Sequence, residues 1–403
     1  MIAVEEALAR IEAALTPLPL EWVHVDHARG RVLGADLVAR RDQPAADVSA
    51  MDGYAVRAAE AVAGAVLAVE GEAAAGSPAG GPLAAGTARR IFTGGLVPEG
   101  ADTVLIQENA ERRGGEIVVR VAAEPGRHIR ARAQDFAAGT VGLGAGRRLT
   151  ARDLGLAVAL GYGHLTVHRR PRVGVAGTGR ELVRPGVEAG PAEVPNSNVT
   201  ALVAALEGFG ATPLDLGIVA DRADALAELA DRARGLDLLV TTGGASVGEH
   251  DLVRGALGEL GLALDFWKIA MRPGKPLLFG RLGAVPVLGL PGNPVSALVC
   301  ALLFVRPAVD RLAGAPATGL PLLEAELAAP LSPGGARRDF LRATLEPGEA
   351  GGRPRVRAAD RQDSAMLATL ARADGLVDRP AHIAAQPAGS LVRVVRFTDI
   401  PGF

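Results

Sequence analysis

The fold is decided by LDLLVTTGGASVGEHD, Leu236 to Asp251. Its apolar start, Leu236 to Val240, predicts a buried strand, and the adjacent glycines that follow let the backbone turn with positive φ or approach a ligand closely. Backbone N–H groups beyond the strand can bind an anion, and Ser246 can donate to it. The two acidic residues at the end would repel an anion unless a hard cation such as Mg²⁺ lies between. The pattern indicates a phosphate and metal site, although the loop alone is equally compatible with an ordinary glycine-rich turn.

Two further motifs follow this stretch along the chain. They are WKIAMRPGKPLLFG, Trp267 to Gly280, and VLGLPGNPVSALV, Val287 to Val299. The second predicts a buried strand followed by a helix that begins at Pro294, because proline suits the first helical position. Ligands of open α/β folds bind where parallel strands end, so we expect both motifs to meet the glycine loop at one edge of a sheet. The first motif supplies three cations to this edge, Lys268, Arg272 and Lys275.

Composition and charge limit the class of protein. The chain has 403 residues, and 43 Lys and Arg against 45 Asp and Glu give a net charge of -2. This balance gives no indication of a nucleic-acid binder. The single cysteine, Cys300, allows no disulfide framework and is expected in the core. No apolar run approaches the ~20 residues that span a bilayer, so we expect a cytoplasmic protein that does not bind a membrane.

Hydrophobic periodicity divides the chain into four parts. Apolar residues from Val4 to Leu15 have helical spacing, and short β-prone runs broken by glycine and proline extend to Arg132. From Pro171 strands and helices alternate, which predicts a doubly wound α/β domain with a parallel sheet, whose last helix runs from Val295 to Leu312. The predicted domains are a mixed N-terminal or linking domain (1–47 and 133–170), a β-rich insertion (48–132), the α/β domain (171–315) and a small C-terminal β-barrel-like domain (316–403).

Five motifs in chain order resemble those of the molybdopterin molybdenumtransferase family, which includes the bacterial MoeA proteins and the gephyrin E domain. The resemblance covers nearly the whole chain, and several long ordered motifs are more specific than one glycine loop. It implies a multidomain α/β fold with a MogA-like α/β domain. The motifs are SAMDGYAV (Ser49 to Val56), IFTGG (Ile91 to Gly95), TTGGASVGEHD (Thr241 to Asp251), MRPGKP (Met271 to Pro276) and LPGNPVSA (Leu290 to Ala297).

The resemblance implies an enzyme that takes adenylylated molybdopterin and molybdate, cleaves the phosphoanhydride with Mg²⁺, and yields molybdenum cofactor and AMP. It also implies a homodimer whose active cleft lies between the α/β domain of one subunit and the β-rich insertion of the other. A molybdopterin adenylyltransferase is a further expected partner. This chemistry needs cations for phosphate and oxyanion and carboxylates for Mg²⁺, but no covalent nucleophile.

The resemblance also assigns site residues. Catalysis is expected of Asp52, Thr93, Glu181, Asp221, Asp251, Lys268, Arg272 and Lys275. Mg²⁺ would be held by Asp251, Glu181 and Asp221. Adenylylated molybdopterin would be bound by Thr242, Gly243, Gly244, Ser246, Gly248, Pro291, Gly292 and Asn293, and molybdate by Lys275, Pro276, Arg342 and Ser364. Each of these has a simpler interpretation, such as an acid at a helix N-terminus, a turn residue or a solvated basic turn.

The sequence departs from the family pattern at several positions. Arg180 stands where an acid or amide is usual, which reverses the charge beside Glu181, and Arg272 stands where many members have lysine. Asn196 replaces a frequent aspartate. Two other functions are considered. A non-catalytic scaffold disagrees with the nearly complete set of carboxylates and lysines, and a molybdopterin adenylyltransferase is normally an isolated α/β domain.

Overall fold

The computed structural model describes residues 1–220, 222–243, 258, 261–317, 319–348 and 351–403. Within these residues no helix is long and apolar enough to cross a bilayer. The first helix has Val4, Ala7 and Ile11 on its buried face, so the predicted helical spacing is confirmed. The elements before the insertion are α1 (Val4–Ala14), β1 (Leu20–His24), a 3₁₀ turn (Val25–His27) and β2 (Leu37–Val38).

The next part of the chain is the β-rich insertion that the sequence predicts. Its elements are β3 (Val48–Ser49), β4 (Gly53–Val56), β5 (Val66–Ala73), β6 (Thr87–Ile91), β7 (Thr103–Ile106), a 3₁₀ turn (Gln107–Asn109), β8 (Ala110–Arg113), β9 (Glu116–Val119) and β10 (Ile129–Arg130). Six strands form one sheet in the order β7-β4-β6-β5-β9-β8, and β3 pairs with β10. Tyr54, Leu67 and Ile117 belong to its core.

The elements after the insertion pair with strands of the N-terminal segment. β11 (Val141–Leu143) pairs with β2, helix α2 (Ala151–Ala159) follows, and β12 (His164–His168) pairs with β1. Both pairings are antiparallel. α2 begins at a capping box, in which the N–H and hydroxyl of Thr150 donate to the carboxylate of Asp153. Residues on both sides of the insertion therefore pack as neighbours.

The third part contains a six-stranded sheet in the order β16-β13-β17-β21-β20-β18. Helices cover both faces, α3 on one and α4 on the other, which is why a strand such as β21 is buried along its whole length. The elements are β13 (Arg172–Thr178), β14 (Leu182–Val183), β15 (Val194–Pro195), α3 (Ser197–Gly208), β16 (Thr212–Val219), α4 (Ala223–Ala233), β17 (Leu238–Thr242), β18 (Leu262–Trp267), β19 (Met271–Arg272), β20 (Leu278–Leu282) and β21 (Val285–Leu290).

One strand of this sheet runs against the others. β16, β13, β17 and β21 are parallel, whereas β20 is antiparallel to both of its neighbours, so β18 points the same way as β21. The sheet is therefore mixed and not wholly parallel as predicted. Gly283, with φ of 59°, lies in the two-residue connection between β20 and β21, and such a short connection can only join antiparallel strands.

The helical segment after β21 is interrupted. The predicted single helix is divided into α5 (Pro294–Cys300), a π-helical turn (Ala301–Val305) and α6 (Arg306–Leu312). Pro307 has no N–H to donate to the carbonyl of Leu303, which removes an α-helical hydrogen bond at this junction and accounts for the wider turn. All five residues of the π turn are buried, so the interruption does not expose the segment.

The last part is a small β-barrel, as the sequence predicts. The order β23-β24-β22-β26-β25 closes on itself because β25 also pairs with β23. β19, from the α/β part of the chain, adds to this sheet beside β23. The elements are β22 (Leu322–Leu327), β23 (Arg338–Glu346), β24 (Arg355–Ala358), α7 (Leu367–Ala371), β25 (Gly375–Arg379), β26 (Leu391–Arg396) and a 3₁₀ turn (Phe397–Asp399).

Candidate active site

The carboxyl edge of the α/β sheet brings the predicted motifs together. β17 ends at Thr242, where the glycine loop begins, and the strands on either side of it end at Thr178 and Leu290. The loop that joins β18 to β20, residues 268–277, lies at the same edge because β18 runs parallel to β21. Three chain segments that are distant in sequence thus surround one surface, where ligands of α/β folds bind.

A side-chain network closes this edge. Asn198 Nδ2, in the first turn of α3, donates to Thr242 Oγ1 at 2.9 Å and to the carbonyl of Gly292 at 2.8 Å. Thr242 Oγ1 donates in turn to the carbonyl of Pro291 at 3.1 Å. The Thr242 hydroxyl is therefore engaged within the protein, and binding of the pterin by this residue stays a prediction. The network ties the end of β17 to the turn after β21.

Gly243 occupies a position that only glycine fits. Its φ is 91°, and a Cβ here would overlap the carbonyl oxygen of Thr178. Its N–H donates to the carbonyl of Leu290 at 3.2 Å. Gly292 lies against it, since a Cβ on Gly292 would be 3.4 Å from Gly243 Cα. Two segments predicted to bind the pterin therefore meet through their backbones.

Part of the predicted site lies outside the described residues: Asp221, Gly244, Ser246, Gly248 and Asp251. Of the three predicted Mg²⁺ ligands only Glu181 is described. It follows β13, is exposed, and turns its carboxylate back over Gly179, where a Cβ would lie 2.6 Å from Oε1. Glu181 fits Mg²⁺ as one hard oxygen donor. Among the described residues no group of three His, Cys, Asp or Glu side chains could hold a metal ion, so the Mg²⁺ site stays a prediction.

All three predicted cations lie in the loop at this edge, and two of them are lysines. Lys268 has φ of 73°, rare for a residue with a Cβ, and its ammonium lies 3.5 Å from the centroid of the Trp267 ring. The carbonyl of Lys275 accepts a hydrogen bond from the N–H of Ile269 at 2.9 Å, and Pro276 beside it is half-buried. Binding of an anion by Lys268 and Lys275 stays a prediction.

Arg272, the third predicted cation, is engaged with the barrel. Its guanidinium forms a two-pronged ion pair with Asp339 of β23, with Nε to Oδ1 at 2.9 Å and Nη2 to Oδ2 at 3.0 Å. The backbone pairs as well, because β19 runs parallel to β23 with Met271 opposite Arg338. The structure thus places the Arg272 side chain at the junction with the C-terminal barrel.

Ser364 of the barrel also reaches the sheet edge. Its hydroxyl accepts a hydrogen bond from Asn293 Nδ2 at 2.9 Å. Its carbonyl accepts from the N–H of Val295 at 3.1 Å, in the first turn of α5. The structure therefore brings together one predicted molybdate residue and one predicted pterin residue that are 71 positions apart.

Arg342 shapes the loop that carries Ser364. It is 2% exposed, and its guanidinium donates to the side chain of Gln362 and to the carbonyls of Arg361 and Asp363. Burial lowers the pKa of Arg342 from the usual arginine value, because desolvation disfavours the charged form. Direct contact between Arg342 and molybdate stays a prediction, whereas its hold on the 361–363 loop is a property of the fold.

Asp52 and Thr93 meet each other in the insertion. The N–H and the hydroxyl of Thr93 both donate to Asp52 Oδ1, each at 2.8 Å. The backbone bond, then the hydroxyl bond and the charge of Arg90 lower the pKa of Asp52 below its ordinary value despite partial desolvation. Among the described residues neither side chain bonds to the α/β sheet edge. Thr93 therefore anchors the Asp52 carboxylate within the insertion.

Comparison with known proteins covers almost the whole chain. A model described as the MoeA N-terminal region (domain I and II) matches residues 2–161, a probable molybdopterin binding domain matches 174–311, and the MoeA C-terminal region (domain IV) matches 324–397. Molybdopterin molybdenumtransferase 2 of Mycobacterium tuberculosis is 37% identical over 402 residues, which covers 97% of each chain. The chain belongs to the MoeA family.

Other MoeA relatives agree with this assignment. Molybdopterin molybdenumtransferase of Haemophilus influenzae is 35% identical over 317 residues, 78% of each chain. The crystal structure of a molybdopterin biosynthesis MoeA protein from Pyrococcus horikoshii has a TM-score of 0.82 at 30% identity and covers 98% of this chain and 99% of that one. The matches to both MoeA terminal regions argue against an isolated adenylyltransferase domain.

Two residues that hold parts of the candidate site in place, Asn198 and Asp339, were not predicted from the sequence. Asn198 follows a helix N-cap, Asn196, and a polar side chain in the first turn after a strand is the one signal that could have indicated it. Asp339 gives no local signal, because its partner Arg272 is 67 residues away. Both residues bind other side chains of the site and position them.

Proposed function

We propose that this protein is a molybdopterin molybdenumtransferase, which inserts molybdate into adenylylated molybdopterin with Mg²⁺-dependent cleavage of the phosphoanhydride and release of AMP. The observation that carries the proposal is the meeting of three segments at one sheet edge: the start of the glycine loop, the turn after β21, and the barrel residue Ser364. A family of full-length relatives named for this reaction supports it.

The described residues suit an anionic substrate. Gly243 and Gly292 have no side chains, so phosphate oxygens can approach the backbone closely. Lys268 and Lys275 supply positive charge, which stabilises charge that develops on the phosphoanhydride and on molybdate. Ser364 accepts a hydrogen bond from Asn293, which leaves the hydroxyl proton of Ser364 free to donate to an oxyanion.

Mg²⁺, when bound, would neutralise phosphate charge during the cleavage. Glu181 is the described residue that would hold it, and Asp221 and Asp251 are the two further proposed ligands. Arg180 lies directly beside Glu181, so this chain adds a positive charge near its proposed metal ligand. We expect this charge to weaken Mg²⁺ binding relative to family members with an acid there, because like charges repel.

The proposed active unit is a homodimer in which Asp52 and Thr93 of one subunit complete the edge of the other. The fixed geometry of this pair within the insertion supports such a role, because a carboxylate held by two hydrogen bonds presents its remaining oxygen in one direction. A molybdopterin adenylyltransferase is the proposed supplier of the adenylylated substrate.

The reaction is tested by incubating the purified protein with adenylylated molybdopterin, Mg²⁺ and molybdate and measuring AMP by chromatography. We expect AMP release that stops when Mg²⁺ is removed by a chelator. Asp251→Ala should abolish release, because a proposed metal ligand is lost, and an unchanged circular dichroism spectrum would show that the variant is folded. Glu228→Ala, an exposed carboxylate on α4, is the matched control and should keep full activity. Near-normal release by Asp251→Ala would remove this residue from the metal site.

A further inference from the structure

The ion pair between Arg272 and Asp339 fixes the loop that carries Lys275. Asp339 is 3% exposed, and its side chain receives both prongs of the Arg272 guanidinium. Arg379, itself 4% exposed, lies opposite Asp339 in the β23–β25 pairing. The guanidinium of Arg379 binds Gln386 and the carbonyl of Ser332, so the bonded partner of the buried Asp339 carboxylate is Arg272. Removing one member of such a pair is costly, because the buried charge of the other is left uncompensated.

The backbone of the loop is fixed on the same side. Met271 and Arg272 form β19 against β23, and the N–H of Arg338 donates to the carbonyl of Ala270 at 3.0 Å. Met271 is fully buried. The residues just before Lys275 are therefore an edge strand of the C-terminal barrel, although they belong in sequence to the α/β part of the chain.

The loop is confined on its other side by α5. A Cβ on Gly274 would lie 2.5 Å from Cys300 Sγ, so the turn packs directly on this helix. After Gly274 the chain leaves the contact and presents Lys275 at the sheet edge. Between the barrel and α5 the turn has little room to move, and the Lys275 ammonium starts from a fixed point.

We propose that Asp339 is a positioning residue for the oxyanion site, acting through Arg272 to hold the turn that presents Lys275. The inference rests on the proposed function in one respect, that Lys275 binds molybdate. It changes the role predicted for Arg272 from a cation that contacts the substrate to the link between barrel and turn. The C-terminal barrel is then required for oxyanion binding through charge pairing, in addition to its residue Ser364.

Hydrogen exchange measured by mass spectrometry tests, without any substrate, whether Asp339 holds the turn that presents Lys275. In Asp339→Asn we expect faster exchange in peptides that cover residues 268–277, because the charged tie to β23 is lost. Asp399→Asn is the matched control: Asp399 forms an equally two-pronged ion pair with Arg396 on the surface of the same barrel. Unchanged exchange in the 268–277 peptides of Asp339→Asn would overturn the proposal, whether or not the protein releases AMP.

Steady-state kinetics test whether the ion pair between Arg272 and Asp339 supports molybdate binding. Asp339→Asn and Arg272→Met should each raise the molybdate concentration for half-maximal AMP release about tenfold, with a largely retained rate at saturating molybdate. The double variant should show about the same tenfold change, because both substitutions break one tie. If Arg272 instead contacts molybdate, Arg272→Met will have a large effect and Asp339→Asn a small one, which would overturn the proposal. A loss of rate without a change in half-saturation would indicate mere loss of folded protein and would also count against it.

Discussion

At the scale of single residues, hydrogen bonds decide the charge state of the carboxylate in the insertion. Asp52 accepts two hydrogen bonds from one residue, Thr93, and its pKa is lowered chiefly by the backbone donor. Because the folded-state pKa lies below the ordinary aspartate value, the charged form stabilises the fold at neutral pH. This contribution is lost only as the pH falls below about 4 and through the folded-state pKa. Asp52 is therefore ionised throughout the physiological range.

Thr93→Val should raise the pKa of Asp52 while leaving it below the ordinary value, because the hydroxyl donor is removed and the backbone donor remains. A carbon-detected NMR titration of aspartate carboxyl groups would measure this. Asp42 serves as an internal reference, since its lowered pKa depends on the N–H of Ala138 and on Arg132 and should not move. An unchanged titration of Asp52 would mean that the Thr93 hydroxyl does not bind it in solution.

At the scale of elements, the sheet edge depends on contacts between segments that are remote in sequence. α3 contributes Asn198, which bonds both to the end of β17 and to the turn after β21. The turn before Lys275 contributes Gly274, which packs on α5. In both cases a helix contacts a turn that belongs to a different part of the chain and helps to set the position of that turn.

Asn198→Ala should lower the free energy of unfolding by about 1 to 3 kcal/mol, because two hydrogen bonds are lost and the Gly292 carbonyl loses its side-chain partner. It should also weaken binding of the adenylylated pterin, since α3 no longer holds the end of β17 and the turn after β21. Urea denaturation and a binding titration measure the two effects. Ser197→Ala is the neighbouring control on α3, and equal effects of both substitutions would show that helix α3 alone is being perturbed.

Gly274→Ala should destabilise the protein by about 2 to 5 kcal/mol, because backbone strain at φ of 108° adds to overpacking against Cys300. Gly235→Ala separates the two causes: its φ is 81°, but a Cβ there meets no atom within 4 Å. We expect that control to lose only about 1 kcal/mol in urea denaturation. Similar losses for the two variants would mean that contact with Cys300 contributes nothing.

At the scale of the whole molecule, the insertion and the α/β edge carry different parts of the proposed site. Asp52 and Thr93 bond to each other in the insertion, and the glycine and lysine segments lie at the sheet edge. In the proposed homodimer a site shared between subunits joins them, so we expect activity to depend on assembly.

Mixing Asp52→Ala with Asp251→Ala should restore activity from two inactive proteins. Under random subunit exchange half of the dimers are mixed and each has one intact site, so we expect about a quarter of wild-type AMP release. Analytical ultracentrifugation establishes the dimer independently. A mixture of Asp52→Ala with Asp52→Ala carrying a tag is the control for exchange itself and should stay inactive. No recovery after demonstrated exchange would place both aspartates in one subunit's site.

Local patterns in the amino-acid sequence predicted several elements and the family. The helical spacing from Val4 to Leu15 and the apolar run from Leu236 to Val240 placed α1 and β17 within two residues at each end. These patterns are local, because strand and helix periodicity depends on neighbours within a few residues. The ordered motifs indicated the family for the same reason, because each is a continuous run of residues.

The binding partners of those residues depend on contacts between distant parts of the folded chain. The pairing of β19 with the barrel and the partners of Asn198 depend on which segments meet in space. The sequence marks Arg272 as a cation, but its role follows from Asp339, a carboxylate 67 positions away. A single sequence carries no local signal of such a contact, because burial and charge pairing across domains arise only when the chain has closed on itself.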